Sequence, residues 1–404
     1  SDNIKFSILN YDFKIKINNV NSGSSRVLIY GAGSAGVQLA IALNNSNKLH
    51  PVGFIDDKKD LQGSNIIGLK VYSINDIEEL INKLRVEEVL IALPSASRTD
   101  RFSIIDKLER HSVIVRTLPG VTEIAQGKVK IDDLLQVSIK DLLGRKSVEP
   151  NYELLGKNIV NKTVLVTGAG GSIGSELCRQ IVLLKPKALI LFEINELALY
   201  IIEKELNENN AQSINIYPIL GNVNNKKRLK NLFKYFNVDT IYHSAAYKHV
   251  PMVEFNNTEG VENNIFGTFN CAEAAIDSGV KTFVLISTDK AVRPTNTMGA
   301  TKRAAELILQ AFAVKQNTTT FTMVRFGNVL GSSGSVIPLF KKQIIDGGPI
   351  TVTDEKIIRY FMTVTEAVEL LIQAGAMGTG GDVFVLDMGK PVKIKELAEK
   401  MIRL

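Results

Sequence analysis

The stretch Lys162 to Leu184, KTVLVTGAGGSIGSELCRQIVLL, decides the fold. An apolar run of strand length stops at Thr167, a glycine-rich turn follows, and the next residues carry apolar side chains at helical spacing. Gly168, Gly171 and Gly174 are spaced three apart, with Ser172 and Ile173 between the last two. A strand feeding a helix through such a turn aims backbone N–H groups and the positive end of the helix dipole at one point, which suits a pyrophosphate. The next apolar run, KALILFEI, brings Glu193 to its end, where a carboxylate can accept from adenosine ribose hydroxyls. That favours NAD over the 2′-phosphorylated NADP. Asn222 and Val223 after the third strand, and Ala245 and Ala246 after the fourth, are placed to flank adenine and ribose.

Working outward, INIYPIL, DTIYHSAA, KTFVLIST and FTMVRFGN continue as buried strands with helices between them, so residues 162–404 predict a doubly wound parallel sheet. Past Ser335 the alternation loosens into the helix VIPLFKKQII, the short strand PITV and the helix TVTEAVELLIQAGA, the pattern of a small C-terminal substrate-binding lobe. A second glycine turn lies earlier. RVLIYGAGSAGVQLAIAL holds Gly31, Gly33 and Gly36 in GxGxxG spacing, with Asp56 and Asp57 at the end of PVGFID. Residues 24–120 therefore read as a first Rossmann-like unit in tandem with the second, giving an α/β fold with two doubly wound parallel sheets. The first unit's glycines either bind a nucleotide or serve only close strand-to-helix packing, and the sequence leaves both open. Residues 1–23, with IKFSILNYDFKIKI, read as an edge hairpin or linker, and 121–161 as a connector of mixed short-helix character.

The 404 residues carry a formal charge of +6, but lysines and acids are interspersed with no long basic block. A solvated surface with a local anion site is therefore expected, and nucleic-acid binding is not. No apolar run approaches the roughly 20 residues that cross a bilayer, and no signal peptide opens the chain. The chain begins at Ser1 and its first methionine is Met252, so it is expected to be a fragment of a longer protein. Cys178 and Cys271 stand outside any CxxC or Cys/His cluster. His243 and His249 lack an HExxH-type carboxylate, so they read as core or cap residues and no metal is expected.

Taken together, TGAGGSIG, HSAAYKHV, STDKA and MGATKR resemble the extended short-chain dehydrogenase/reductase superfamily, and within it bacterial UDP-N-acetylglucosamine 4,6-dehydratases of polysaccharide and glycoprotein-glycan biosynthesis. The likeness spans residues 24–404 and is to the long form, in which a membrane-spanning N-terminal region precedes the two Rossmann-like domains. It implies a lyase acting on UDP-N-acetylglucosamine with bound NAD, working as a homo-oligomer at the cytoplasmic side of the inner membrane. By the same resemblance Asp289 is the general acid, Lys290 the base, and Thr288 the hydrogen-bond partner of the carbon-4 oxygen. Lys302 goes to the nicotinamide ribose. Asn328 and Val329 belong to the segment that holds the UDP diphosphate and uracil, Arg359 is aimed at the phosphates, and Lys248 contacts the hexose or helps keep Lys290 neutral. Met298 stands four residues before Lys302, where most relatives carry tyrosine, and a thioether cannot take a proton; similar long-form enzymes also carry methionine there.

The residues alone admit other readings. Thr-Asp-Lys after a strand also fits a loop with a capping aspartate, Lys302 a solvated helix lysine, and Arg359 a surface ion pair with Glu355 or Glu366. A UDP-sugar 4-epimerase shares fold and cofactor but needs no acid–base pair for carbon 6, so Asp289 and Lys290 argue against it. A non-catalytic nucleotide-sensing or assembly protein draws support only from Met298 and the tandem design.

Overall fold

Runs of β-branched and apolar residues alternating with amphipathic helices produce two separate sheets in the computed structural model, which describes residues 7–9, 25–44, 49–108, 111, 113–118, 135–136, 148–208, 214–330, 332 and 335–403. The chain forms two compact units, one of Ser1–Lys146, Val336–Arg359 and Val392–Leu404, the other of Ser147–Ser335 and Tyr360–Pro391. These boundaries differ from the expected division at 24–120, 121–161 and 162–404. Of the expected N-terminal hairpin or linker and the expected connector, residues 4–6, 10–17, 121–134 and 137–147 lie outside the described residues.

In the second unit seven strands lie in the order Asn215–Leu220, Ala188–Glu193, Thr163–Thr167, Thr240–His243, Thr282–Ile286, Thr320–Arg325 and Asp382–Val385. Every neighbouring pair is parallel. In chain rank this is 3-2-1-4-5-6-7, so the order reverses beside the strand that opens the unit, and ligand crevices form at such switch points. Both faces are covered. Val164 and Val166 join Leu177, Ile181 and Leu371 on one side, while Leu165 faces Leu229, Phe233, Leu309 and Phe283 on the other. Parallel strands buried on two faces read as continuous apolar runs, which is why VLV and LILF were legible as strands.

The first unit has a seven-stranded sheet ordered Asn65–Ile66, Leu69–Tyr72, Leu49–Ile55, Ser25–Tyr30, Glu88–Ile91, Ile114–Thr117 and Leu135–Gln136. Its central pairs are parallel, but both edge pairs are antiparallel. Of the segments expected to form a lobe on the catalytic domain, VIPLFKKQII and PITV fall in this unit instead, whereas the helix TVTEAVELLIQAGA stays in the second unit. Ile350–Val352 pairs antiparallel with Ser7–Leu9, and Ile358–Arg359 with Val392–Lys393. The ammonium of Lys395 donates to Glu355 at 2.9 Å, and that of Lys400 to Asp106 at 3.3 Å.

The first glycine turn is a close-packing device whatever else it does. A Cβ on Gly36 would sit 1.9 Å from the Gly31 carbonyl oxygen, whereas one on Gly33 would meet nothing within 4 Å. The carboxylate of Asp56 accepts from the Ala32 amide at 2.8 Å and braces the loop, while the Tyr30 hydroxyl donates to Asp57 at 2.8 Å. Gly36→Ala should therefore cost about 1–3 kcal/mol by forcing helix from strand, several degrees in the unfolding midpoint. Gly33→Ala should stay within about 0.5 kcal/mol of the parent. Thermal scans followed by circular dichroism compare the two.

Candidate active site

The second glycine turn repeats the device and adds a groove. Gly168 adopts φ +64°, and a Cβ there would lie 2.8 Å from the Ala245 amide nitrogen. A Cβ on Gly174 would lie 1.9 Å from the Gly168 carbonyl oxygen. The helix Ser172–Leu183 is capped by Gly171, which has no side chain to accept from the first-turn amides. Ser172, Ile173 and Gly174 thus present the start of that helix, where amide hydrogens have no intrahelical acceptor.

Gly168, Gly171, Glu193, Asn222, Val223, Ala245 and Ala246 converge on a groove of about 290 Å³. Glu193 is only 8% exposed, and its carboxylate accepts from three backbone amides, Gly170 at 2.9 Å, Ile194 at 2.9 Å and Asn195 at 3.0 Å. It therefore fixes the loop as well as lining the groove. Asn222 accepts from the Asn224 amide at 2.8 Å, and Val223 belongs to the core beneath.

A polar relay runs under this floor. The Ala245 amide donates to the Thr167 hydroxyl, which lies 2.8 Å from His243 Nδ1. His243 Nε2 lies 3.1 Å from the Thr268 hydroxyl, which itself donates to the Asn264 carbonyl at 2.7 Å. With the Thr268 proton committed, Nε2 carries the imidazole hydrogen and Nδ1 accepts. Burial, and secondly the charge of Lys302, pull the His243 pKa down to about 3. Asn264, in the one-turn π-helix Glu262–Phe266, holds the Tyr247 backbone from both sides, accepting from its amide at 2.8 Å and donating to its carbonyl at 2.9 Å. Among the described residues no three His, Cys, Asp or Glu side chains gather as a metal site.

The second cluster forms where the fifth and sixth strands end. Thr288 caps the short 3₁₀ turn Asp289–Ala291, its hydroxyl accepting from the Lys290 amide at 3.3 Å and donating to Asp289 Oδ1 at 2.9 Å. The Lys290 ammonium donates to the same Oδ1 at 2.9 Å and reaches the Asn328 side-chain oxygen at 3.4 Å. Thr288, Asp289, Lys290 and Asn328 are thus one hydrogen-bonded set. The Lys290 ammonium thus has a carboxylate as its immediate neighbour.

Met298 and Lys302 are both buried on the inward side of the helix Thr297–Lys315. Lys302 is 6% exposed, not a solvated lysine, and burial pulls its pKa down to about 8 against the opposing charge of Glu306. Gly299 lets this helix approach the turn, since a Cβ there would lie 2.3 Å from the Lys290 carbonyl oxygen. Val329 is 8% exposed and pairs with Met362, so it is a core residue. Lys248 follows the fourth strand on the surface, and desolvation lowers its pKa. Arg359 falls in the first unit, its guanidinium donating to the Ile358 carbonyl at 2.9 Å. Glu355, one of its anticipated ion-pair partners, receives Lys395.

Two features escaped the sequence. Asn264 sits among other asparagines and carries no spacing signal. Glu306 does carry one, standing four residues after Lys302 and so on the same helix side, with Arg325 opposite at the end of the sixth strand.

Residues 164–404 match the family described as Polysaccharide biosynthesis protein, and residues 23–96 match one described as C2185-like, N-terminal. The chain belongs to the polysaccharide biosynthesis protein family. It is 46% identical over 382 residues to the capsular polysaccharide biosynthesis protein CapD of Staphylococcus aureus, which covers 93% of this chain and 64% of that protein. The chain therefore spans less than two thirds of that relative's length. It is 35% identical over 246 residues to the UDP-N-acetylglucosamine 4,6-dehydratase (inverting) of Campylobacter jejuni, 59% of this chain and 71% of that protein. Relatives at 34% identity include a UDP-glucose 4-epimerase of Rickettsia akari. Among solved structures, Pen from Bacillus thuringiensis superposes with a TM-score of 0.57 at 39% identity, over 61% of this chain and 76% of that one. Among the described residues no helix is long and apolar enough to cross a membrane.

The His243 environment has a pH consequence. A histidine near pKa 6.5 when unfolded and near 3 when folded makes the unfolded state bind more protons between those values, so stability falls as pH drops from 6.5 towards 3. His243→Gln should flatten that slope, and urea unfolding at pH 7 and pH 5 measures it.

Proposed function

We propose that the second unit catalyses the NAD-dependent 4,6-dehydration of UDP-N-acetylglucosamine, giving the UDP-4-keto-6-deoxy sugar. The observation that carries this reading is the Asp289–Lys290 pair at 2.9 Å. The reaction needs an acid for the carbon-6 oxygen and a base for the carbon-5 proton, and a 4-epimerization needs neither. The dehydratase relative adds support, at the level of sequence likeness.

The groove fits a dinucleotide: a side-chain-free helix start faces the phosphate position, and a buried carboxylate stands at the end of the second strand. Gly168, Gly171, Ser172, Ile173, Gly174, Glu193, Asn222, Val223, Ala245, Ala246 and Lys302 would hold NAD. When bound, NAD would supply the hydride chemistry, removal from carbon 4 and return to carbon 6. The negative charge of Glu193 disfavours a 2′-phosphate.

The remaining steps belong to the side chains. The Thr288 hydroxyl donates to Asp289 at 2.9 Å, so when it is bonded to the carbon-4 oxygen the carbon-4 hydroxyl proton would leave along it without a tyrosine. The ion pair holds one proton that can move across its 2.9 Å bond, converting carboxylate and ammonium into carboxylic acid and amine. Lys290 as amine takes the carbon-5 proton, acidified by the 4-ketone, while Asp289 protonates the departing carbon-6 hydroxyl, which leaves as water. That regenerates the ion pair. The Lys290 ammonium then returns a proton to carbon 5, and solvent restores the one released at carbon 4. Asn328 keeps the Lys290 nitrogen in place, and Lys248 is assigned to the hexose.

Incubation with UDP-N-acetylglucosamine should give a product one water lighter by mass spectrometry. A product of unchanged mass would identify an epimerase. Lys290→Ala and Asp289→Asn should each lower kcat by about 10²–10⁴-fold. Thr288→Val should lose more turnover than Met298→Ala, because only Thr288 has a proton-relaying group; the reverse order in steady-state rates would remove Thr288 from the relay.

A further inference from the structure

The three segments that carry the acid–base pair, Asn328 and the Met298–Lys302 face come from different strands and a helix, yet their geometry must agree to fractions of an ångström. One side chain touches the neighbours of all three. Glu306 is 0% exposed. It accepts from the Ser287 hydroxyl at 2.6 Å, from Arg325 Nε at 2.7 Å, and from Arg303 at 3.0 Å. Ser287 precedes Thr288, Arg325 lies three residues before Asn328, and Arg303 follows Lys302.

We propose that Glu306 is a positioning residue: a buried carboxylate that fixes the spacing between the Thr288–Lys290 turn, the Asn328 segment and the helix face bearing Met298 and Lys302. It touches no substrate and acts through these neighbours. A carboxylate suits the task because its four lone-pair directions serve three donors from three segments at once, and two of those donors are charged. An amide offers one acceptor oxygen and would turn its own N–H groups towards guanidinium donors. Burial acts to raise the Glu306 pKa, but hydrogen bonds from Arg325, Ser287 and Arg303 outweigh it, so the group stays ionised.

Its charge also bears on Lys302, one helical turn away. The charged and titratable groups on this helix and the elements packed against it include Glu306, Arg303 and Lys315 on the helix, His243, Arg325, Asp289 and Lys290 at the strand ends, Glu259, Glu262, Glu273 and Asp277 on neighbouring helices, and Glu254, which accepts from the Thr297 amide and hydroxyl. Of these, Glu306 is the one that holds the Lys302 ammonium protonated against burial.

The inference rests on the NAD-dependent reading, and the test separates the two. NAD affinity by calorimetry between pH 6 and 9.5, and kcat and KM for UDP-N-acetylglucosamine, are compared for wild type, Glu306→Gln and Glu306→Asp. Folding is checked by circular dichroism. Glu306→Gln should lose about 10²-fold in kcat with KM within threefold, and the alkaline loss of NAD affinity should move to lower pH. Glu306→Asp, which keeps the charge, should restore the pH limb but not all of kcat. If Glu306→Gln does not fold, Ser287→Ala, which deletes a single bond to the carboxylate, should lower kcat about tenfold without changing KM. A folded Glu306→Gln protein with wild-type kcat and an unmoved pH limb overturns the inference while leaving the NAD reading intact, as does a Ser287→Ala protein of unchanged kcat. A wild type that binds no NAD and makes no dehydrated product overturns the reading, and the inference with it.

Discussion

The contact on which the rest depends is between a carbonyl and a missing side chain. The Gly168 oxygen lies 1.9 Å from where a Cβ on Gly174 would begin, so the helix Ser172–Leu183 can sit directly over the strand that feeds it. Any other residue at 174 would lift the helix off the sheet and carry its first-turn amides away from the groove. Gly36 against Gly31 repeats the same distance in the first unit, and each unit adds a carboxylate from the following strand to brace the loop, Glu193 on Gly170 and Asp56 on Ala32. Two sheets of different edge topology thus share one solution to joining strand and helix.

In the second unit the chemistry depends on a similar close approach. A Cβ on Gly299 would lie 2.3 Å from the Lys290 carbonyl, so the helix with Met298 and Lys302 packs against the turn with Asp289 and Lys290. Adjacent residues in an extended strand point to opposite faces, but the 3₁₀ turn after Thr288 lets Asp289 and Lys290 meet each other at 2.9 Å. Beneath the groove the Thr167–His243–Thr268 relay keeps a neutral imidazole where a charged one would be unsupported.

What the sequence made legible was what local pattern controls. The glycine turns, the apolar strands and the acid at the end of the second strand follow from spacing and periodicity, and seven of the anticipated residues meet in one groove. Long-range pairing was not legible. Ile350–Val352 was read as part of a lobe of the catalytic domain, but its partner Ser7–Leu9 stands hundreds of residues away and no period links them. Arg325 lies only three residues before Asn328, but its guanidinium turns inward to Glu306. Glu193 was expected to face ribose, and that its carboxylate also receives three backbone amides depends on loop geometry that composition does not encode.

Both units are discontinuous in the chain, and this sets an order of assembly. The segment 148–158 is fastened to the helix Val364–Met377 through Glu366, Gln373 and the carbonyls of Gly375 and Ala376, partners more than two hundred residues downstream. In the first unit, Ser7–Leu9 waits for Ile350–Val352. At a ribosomal rate of about 10 residues per second, that strand would stay without its partner for on the order of half a minute. A nascent chain halted before residue 350 would carry both glycine turns and the Asp289–Lys290 pair, yet lack the pieces that close either unit.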